Sequence, residues 1–197
     1  SKEPKKDYSA PRVKHFYFEP SFTDIPYSNS TIASQGCGIC ASAMMIEGMC
    51  DTDFNVQDCA NLAHQVGADQ YGGTDFAIFG GALASRFNLC QTKTEDVEDA
   101  VDFLQEHPEG MVMVSLPGDI RHDEWVEMFC VYPHYIVLDR YENGQFRVID
   151  CMYSTGRYDI PGRAGKVTPI EDYGAWASVN IVKEDAYHSK YFMFRPL

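Results

Sequence analysis

Cys37 stands between two glycines, Gly36-Cys37-Gly38, at the mouth of an apolar run. Far downstream come His134, heading His134-Tyr135-Ile136-Val137-Leu138, and Asp150, closing Val148-Ile149-Asp150. A thiol, an imidazole and a carboxylate in that order are the working parts of a hydrolase with a cysteine nucleophile. The thiolate is the attacking form, and a free cysteine has a pKa of about 8.5. Two influences favour the anion: the positive end of a helix and a neighbouring imidazolium. The apolar run after Gly38 offers the first locally, and folding has to supply the second.

The elements that must position these groups are legible in outline. Residues 39–49 are apolar on nearly every side, interrupted mainly by Glu47, which suits a buried helix with Cys37 in its first turn. Val56, Cys59, Ala60, Ala63 and Val66 keep helical spacing, and Gly67 follows as a left-handed stop. Thr74 caps a third predicted helix carrying Phe76, Phe79, Leu83 and Phe87 as far as Asn88. Thr94 caps a fourth, whose acidic first turn leads to Val97, Val101 and Leu104 before Pro108. Residues 22–35 are polar and aperiodic, a loop that runs straight to Cys37.

In the second half, residues 111–116 read as a core strand closed by Pro117-Gly118, and residues 119–133 as an irregular loop before His134. Residues 134–141 and 145–150 flank Glu142-Asn143-Gly144, a hairpin signal. Residues 156–168 are glycine-rich and basic, and residues 191–194 form a closing strand. Helices first and antiparallel strands second predict an α+β domain, with N-terminal helices packed on a C-terminal antiparallel sheet. The lysine-rich residues 1–12 are expected to be a flexible tether and residues 13–197 a single domain.

The hairpin allows a test of geometry, because side chains alternate faces and paired residues share one. A two-residue turn would send His134 and Asp150 to opposite faces. A three-residue turn over Glu142-Asn143-Gly144, with Gly144 supplying the positive φ, sets Asp150 opposite Ile136. His134 is then its diagonal neighbour, roughly 7–8 Å away between backbones. On that register Asp150 orients the ring while His134 takes the thiol proton and returns it to the leaving group. The glycines beside Cys37 are expected to leave room for a substrate carbonyl and to turn backbone N–H groups toward the oxyanion.

These residues resemble the C39-like peptidases of the papain-like cysteine peptidase clan, relatives of the double-glycine leader peptidases. The likeness rests on Thr31-Ile32-Ala33-Ser34-Gln35-Gly36-Cys37-Gly38, Ala43-Met44, Pro133-His134-Tyr135-Ile136-Val137-Leu138 and Val148-Ile149-Asp150. It implies a papain-like fold and cleavage of a peptide bond through a thioester, with Cys37 as nucleophile, His134 as base and Asp150 as orienting group. The chain departs from the pattern at Pro133, where the family commonly has Gly, and at Ile39, where it commonly has Pro. Where the family uses an upstream glutamine as oxyanion donor, this chain reads Phe16-Tyr17-Phe18-Glu19. Tyr17 and Gln35 are therefore the oxyanion candidates. Without such a donor the same fold would serve as a catalytically weak or silent peptide-binding module, which is the alternative reading. Acyl transfer by the same three groups is the closest enzymatic rival.

Composition removes other classes. A net charge of −13 opposes nucleic-acid binding, which rests on Lys and Arg displacing counterions, and an anionic membrane surface for the same reason. No apolar stretch is long enough to span a membrane. The expected partner is a peptide or protein substrate, with no cofactor and no metal. The 7 cysteines are scattered, so a disulfide scaffold is not expected. Cys37-Gly38-Ile39-Cys40 is formally a C-x-x-C redox motif, but it follows polar loop where a thiol–disulfide protein has a buried strand. A zinc site would need more ligands at recognisable spacing than Cys130 or Cys151 with His134 provide. The chain begins at Ser1 without an initiator Met and its localisation is open, an extracytoplasmic or secreted place being favoured only if a signal segment was removed before Ser1.

Overall fold

The longest apolar run becomes a helix buried on every side, and the rest of the architecture is arranged to cover it. A computed structural model describes residues 7–17, 19–119 and 125–197, so residues 1–6 of the expected tether, Phe18 and His122 lie outside the described residues. After a 3-10 turn (Glu19–Phe22), the hairpin of β1 (Pro26–Tyr27) and β2 (Ser30–Thr31) leads into α1 (Ile32–Gln35) and α2 (Cys37–Cys50). There follow α3 (Val56–Val66), β3 (Asp69–Gln70), β4 (Gly73–Thr74), α4 (Phe76–Phe87), β5 (Leu89–Thr94) and α5 (Val97–Glu106). The second half comprises β6 (Met111–Leu116), β7 (His134–Glu142), β8 (Gln145–Ile149), β9 (Thr168–Ile170), β10 (Gly174–Ser178), α6 (Val179–Ala186) and β11 (Tyr191–Pro196).

Seven strands form one antiparallel sheet in the order β5-β11-β6-β7-β8-β10-β9. The fold is α+β, with helices on both faces of the sheet. Met113, Val137, Ile149 and Phe194 meet the helices α2, α3 and α4, while Val114, Ile136, Val148 and Ala177 meet α5 and α6. Alternation along each strand explains this division, since neighbours such as Met113 and Val114 point to opposite faces. Caps differ in detail from expectation. Asp75, not Thr74, caps α4, and Asp96, not Thr94, caps α5, because each carboxylate sits next to the first free amides. Thr94 instead donates its hydroxyl to Asp99 at 2.6 Å.

The hairpin corrects the predicted turn and keeps its consequence. Glu142 pairs with Gln145, so the turn is two residues long, with Asn143 at φ 52° and Gly144 at φ 79°, the left-handed pair such a turn requires. Farther along, Leu138 pairs with Val148 and Val137 with Ile149, the register expected from a three-residue turn. A β-bulge between Leu138 and Arg140 absorbs the difference, leaving Asp139 as the extra residue. Asp139 is fully buried and bonds Arg147 Nε through Oδ1 at 2.6 Å, with Arg147 only 1% exposed.

That pair also captures the start of the chain. Arg147 donates to the carbonyls of Tyr8, Ser9 and Ala10 at 3.1, 2.8 and 3.1 Å, and the Arg12 amide donates to Asp139 Oδ2 at 3.3 Å. Residues 8–12, expected within a flexible tether, are instead strapped across the sheet by a buried charge pair. Sequence patterning could not reveal this, because the acceptors are backbone carbonyls.

Candidate active site

Cys37 is the first residue of α2, and the two glycines beside it have a different task from the one expected. A Cβ on Gly36 would lie 2.5 Å from the Ile32 carbonyl oxygen, and one on Gly38 would lie 3.1 Å from the Tyr135 ring and 3.2 Å from the Thr74 hydroxyl. They allow close packing of α1, α2 and β7 rather than leaving an opening. Tyr135 is itself fixed there, its hydroxyl donating to the Thr74 carbonyl at 3.1 Å.

The helices α3, α4, α5 and α6 each have an N-cap side chain accepting from first-turn amides, namely Asn55, Asp75, Asp96 and Ser178. Gly36 at the start of α2 has none. The first-turn N–H groups, which lack intrahelical acceptors, are thus left unclaimed by a cap. Cys37 is half-buried and lines a cleft of about 390 Å³ together with Gln35, Gly73, Asp75, Pro133 and Tyr135. Tyr71, 89% exposed, stands on the same wall as Gly73.

His134 opens β7 opposite Leu116 and is 2% exposed. Its Nε2 meets Asp150 Oδ1 at 2.8 Å. Its Nδ1 is buried and without a hydrogen bond among the described residues, and the other group interacting with the ring is the Cys37 thiol. The structure therefore brings Cys37 and Asp150 to the same imidazole ring. Burial by itself would depress the proton affinity of His134, but Asp150 and then Cys37 outweigh it and hold the ring well above its usual range. Burial likewise opposes ionisation of Asp150, and the contacts with His134, Arg157 and the Met152 amide overcome it, keeping the carboxylate below its usual range. Both shifts favour the charged forms, imidazolium beside carboxylate.

The other candidates separate. Tyr17 interacts through its hydroxyl with Glu47, ten residues after Cys37 along α2, so it lies about 15 Å along the helix from the thiol. The structure does not bring Tyr17 to the site. Gln35 ends α1, and the bend at Gly36 sets it in the same cleft as Cys37, with its Oε1 buried and without a hydrogen bond among the described residues. Cys40 has no exposed surface, which withholds it from an external dithiol or disulfide partner.

None of the seven cysteines is in a disulfide. His134, Asp150 and Cys151 have ligand atoms within 4.8 Å of one another, yet the His134 and Asp150 atoms are bonded to each other and Cys151 Sγ donates to the Cys37 carbonyl at 3.6 Å. That set is occupied by its own contacts. His15, His64 and His107 pair with Glu47, Asp69 and Glu109, and none of these three histidines lines the cleft.

Sequence reading missed the groups behind Asp150. Met152 donates its amide to Oδ1 at 3.0 Å, the Tyr158 hydroxyl donates to Oδ2 at 3.3 Å, and Arg157 Nε lies 3.1 Å from Oδ2. Only the basic character of residues 156–168 signalled a cation there.

No family model matches the chain, and no curated protein matches it. Among solved structures, it is similar to a chain from Bacillus anthracis described as a C39-like peptidase, with a TM-score of 0.53 and 10% identity over 92% of this chain and 94% of that one. UfSP from C. elegans aligns over 92% of this chain and 32% of its own length, with a TM-score of 0.47 and 14% identity. The fold of this chain is therefore the papain-like fold seen in the C39-like peptidases.

Proposed function

We propose that the protein is a cysteine peptidase or amidohydrolase that cleaves a peptide bond through a thioester on Cys37. The observation that carries this reading is the orientation of His134. One ring nitrogen is bound to a buried carboxylate at 2.8 Å, and the other has no hydrogen bond among the described residues while the Cys37 thiol interacts with the ring. A core histidine satisfied for stability alone would have both nitrogens bonded, since a buried unpaired polar atom costs about 1–3 kcal/mol.

An adjacent imidazolium favours the thiolate form of a cysteine. Cys37 Sγ attacks the substrate carbonyl carbon, the C–O π pair moves to oxygen, and the oxyanion lies against first-turn N–H groups of α2 with the Gln35 amide as second donor. As the C–N bond breaks, His134 gives its Nδ1 proton to the departing amine, leaving the thioester. Water then loses a proton to His134 and attacks the same carbon, and the thiolate departs with the imidazolium restored. Asp150 keeps the ring oriented throughout.

The test is hydrolysis of a peptide library by the full chain, with intact-mass detection of the acyl-enzyme. Wild type is expected to cleave and to carry the acyl group on Cys37, and Cys37→Ala to do neither. Full activity in Cys37→Ala overturns the proposal. Added amine acceptors that divert product to ligation would instead favour acyl transfer. Binding without cleavage, together with ordinary thiol reactivity at Cys37, would favour a silent peptide-binding module. Gln35→Ala is expected to lower kcat by about 100-fold or more.

A further inference from the structure

Asp150 is shared. Its Oδ1 faces His134 Nε2 at 2.8 Å and the Met152 amide at 3.0 Å, while its Oδ2 faces Arg157 Nε at 3.1 Å and the Tyr158 hydroxyl at 3.3 Å. The Arg157 contact is an ion pair rather than an aligned hydrogen bond, because Nε makes none within the described residues. The guanidinium is not a loose surface charge. Its side chain is 14% exposed and its Nη2 donates to the Phe129 carbonyl. Arg163 Nη1 holds the Arg157 carbonyl at 3.3 Å and Arg163 Nε holds the Glu127 carbonyl at 2.7 Å. Phe129 is anchored in turn, its amide donating to the buried Asp185 at 2.9 Å.

A buried carboxylate facing one imidazole alone would lock the ring as imidazolium. Thioester hydrolysis needs the same ring to accept a proton from water, and a general base works best with a pKa near the working pH. A second cation on the carboxylate offsets part of its pull on the first. Resting on the cysteine-hydrolase reading above, we propose that Arg157 is a positioning residue of this site, sharing the Asp150 carboxylate with His134 and so tempering the ring's hold on its proton. Among the described residues, His134 is faced by Asp150, Cys37 and Cys151, Asp150 by His134, Arg157, Tyr158 and Cys151, and Arg157 by Asp150, Tyr158, Cys130 and Cys151. Removal of Arg157 leaves Oδ1 still held toward His134 by the Met152 amide, so the consequence falls on charge rather than on orientation.

The experiment is an NMR titration of the His134 ring in the full chain, with its signal assigned by loss in His134→Gln. Arg157→Gln is expected to move the His134 midpoint upward by about one unit, and Arg157→Lys, which keeps the charge, to return it toward wild type. A midpoint that stays put or falls in folded Arg157→Gln overturns the proposal, as does Arg157→Lys behaving like Arg157→Gln. If Arg157→Gln does not fold, the wild-type Arg157 Nε–H resonance decides. It must shift with the His134 midpoint, and a resonance indifferent to that titration rejects the shared carboxylate. The broader reading fails separately: a His134 midpoint unaffected by Cys37→Ala would deny the thiol–imidazole pair whatever Arg157 does.

Discussion

Replacing Asp139 with Asn tests what holds the catalytic strands in register. Asp139 is the extra residue of the bulge that brings Asp150 to the face of His134, and it neutralises a guanidinium almost wholly out of water: the side chains are 0% and 1% exposed. An amide of the same shape keeps one acceptor and removes the charge. Arg147 is then a buried cation with no anion against it, held by the Tyr8, Ser9 and Ala10 carbonyls, the amide oxygen and the face of Trp176 among the described residues. Breaking a buried pair in this way costs about 3–5 kcal/mol. For a chain of this length each kcal/mol lowers Tm by about 2–4 °C, so the loss should be roughly 6–20 °C. Urea and thermal unfolding at neutral pH measure it, with near-unchanged m-values expected if the transition stays two-state. A loss below about 1 kcal/mol would refute the reasoning, because the charge would then be solvated or the bulge held by something else.

Truncation to a chain beginning at Val13 should destabilise the domain by a few kcal/mol, since Arg147 loses three carbonyl acceptors; urea unfolding of the two lengths checks it. The His134–Asp150 pair carries a pH signature. A raised His contributes stability that is complete below about 6.5 and is lost as pH rises through its folded value. A lowered Asp contributes stability that is present above about 3.9 and is lost as pH falls through its folded value. The stability difference between wild type and His134→Gln should therefore be widest between about pH 4 and 6.5 and shrink on the alkaline side. A difference that grows with alkalinity would contradict the ion pair. Gly38→Ala should lower stability by about 1–3 kcal/mol through overpacking, because its Cβ meets Tyr135 and Thr74; a neutral effect in thermal unfolding would show that α2 can move. Asp185→Ala strands the Trp125 indole and the Met128 and Phe129 amides, and should cost about 2–4 kcal/mol in the same assay.

How far the sequence could be read depended on whether the signal was periodic. The all-round apolar run after Gly38 became α2, Gly67 ended α3 with φ 75°, and the Asn143-Gly144 turn joined β7 to β8, because each depends on local backbone or burial preferences. Short strands without alternation were missed: β5 reads Leu-Cys-Gln-Thr-Lys-Thr and β10 Gly-Ala-Trp-Ala-Ser, and only their neighbours in the sheet make them strands. α6 was missed for a similar reason, its inward side being little more than Val182 and Ala186 beside a buried Asp185.

Within the site, motif order pointed to Cys37, His134 and Asp150, and the structure brings the three together. The turn argument that supported them had the wrong loop length, and the bulge at Asp139 restored the parity. No pattern in the sequence marks a bulge whose cause is an ion pair with a residue on the next strand. The basic stretch around Arg157 was legible but its role was not, since its partner Asp150 meets it only through the fold.

The most direct test of the central claim is site-resolved alkylation of the folded chain by iodoacetamide at pH 5.5, read by peptide mass spectrometry for all seven thiols. If Cys37 and His134 form a thiolate–imidazolium pair, Cys37 is modified well ahead of the other six, half-buried Cys50 and Cys90 included, and that lead disappears in His134→Gln. Modification of Cys37 no faster than Cys50 or Cys90, or a lead that survives His134→Gln in a folded protein, would contradict the account.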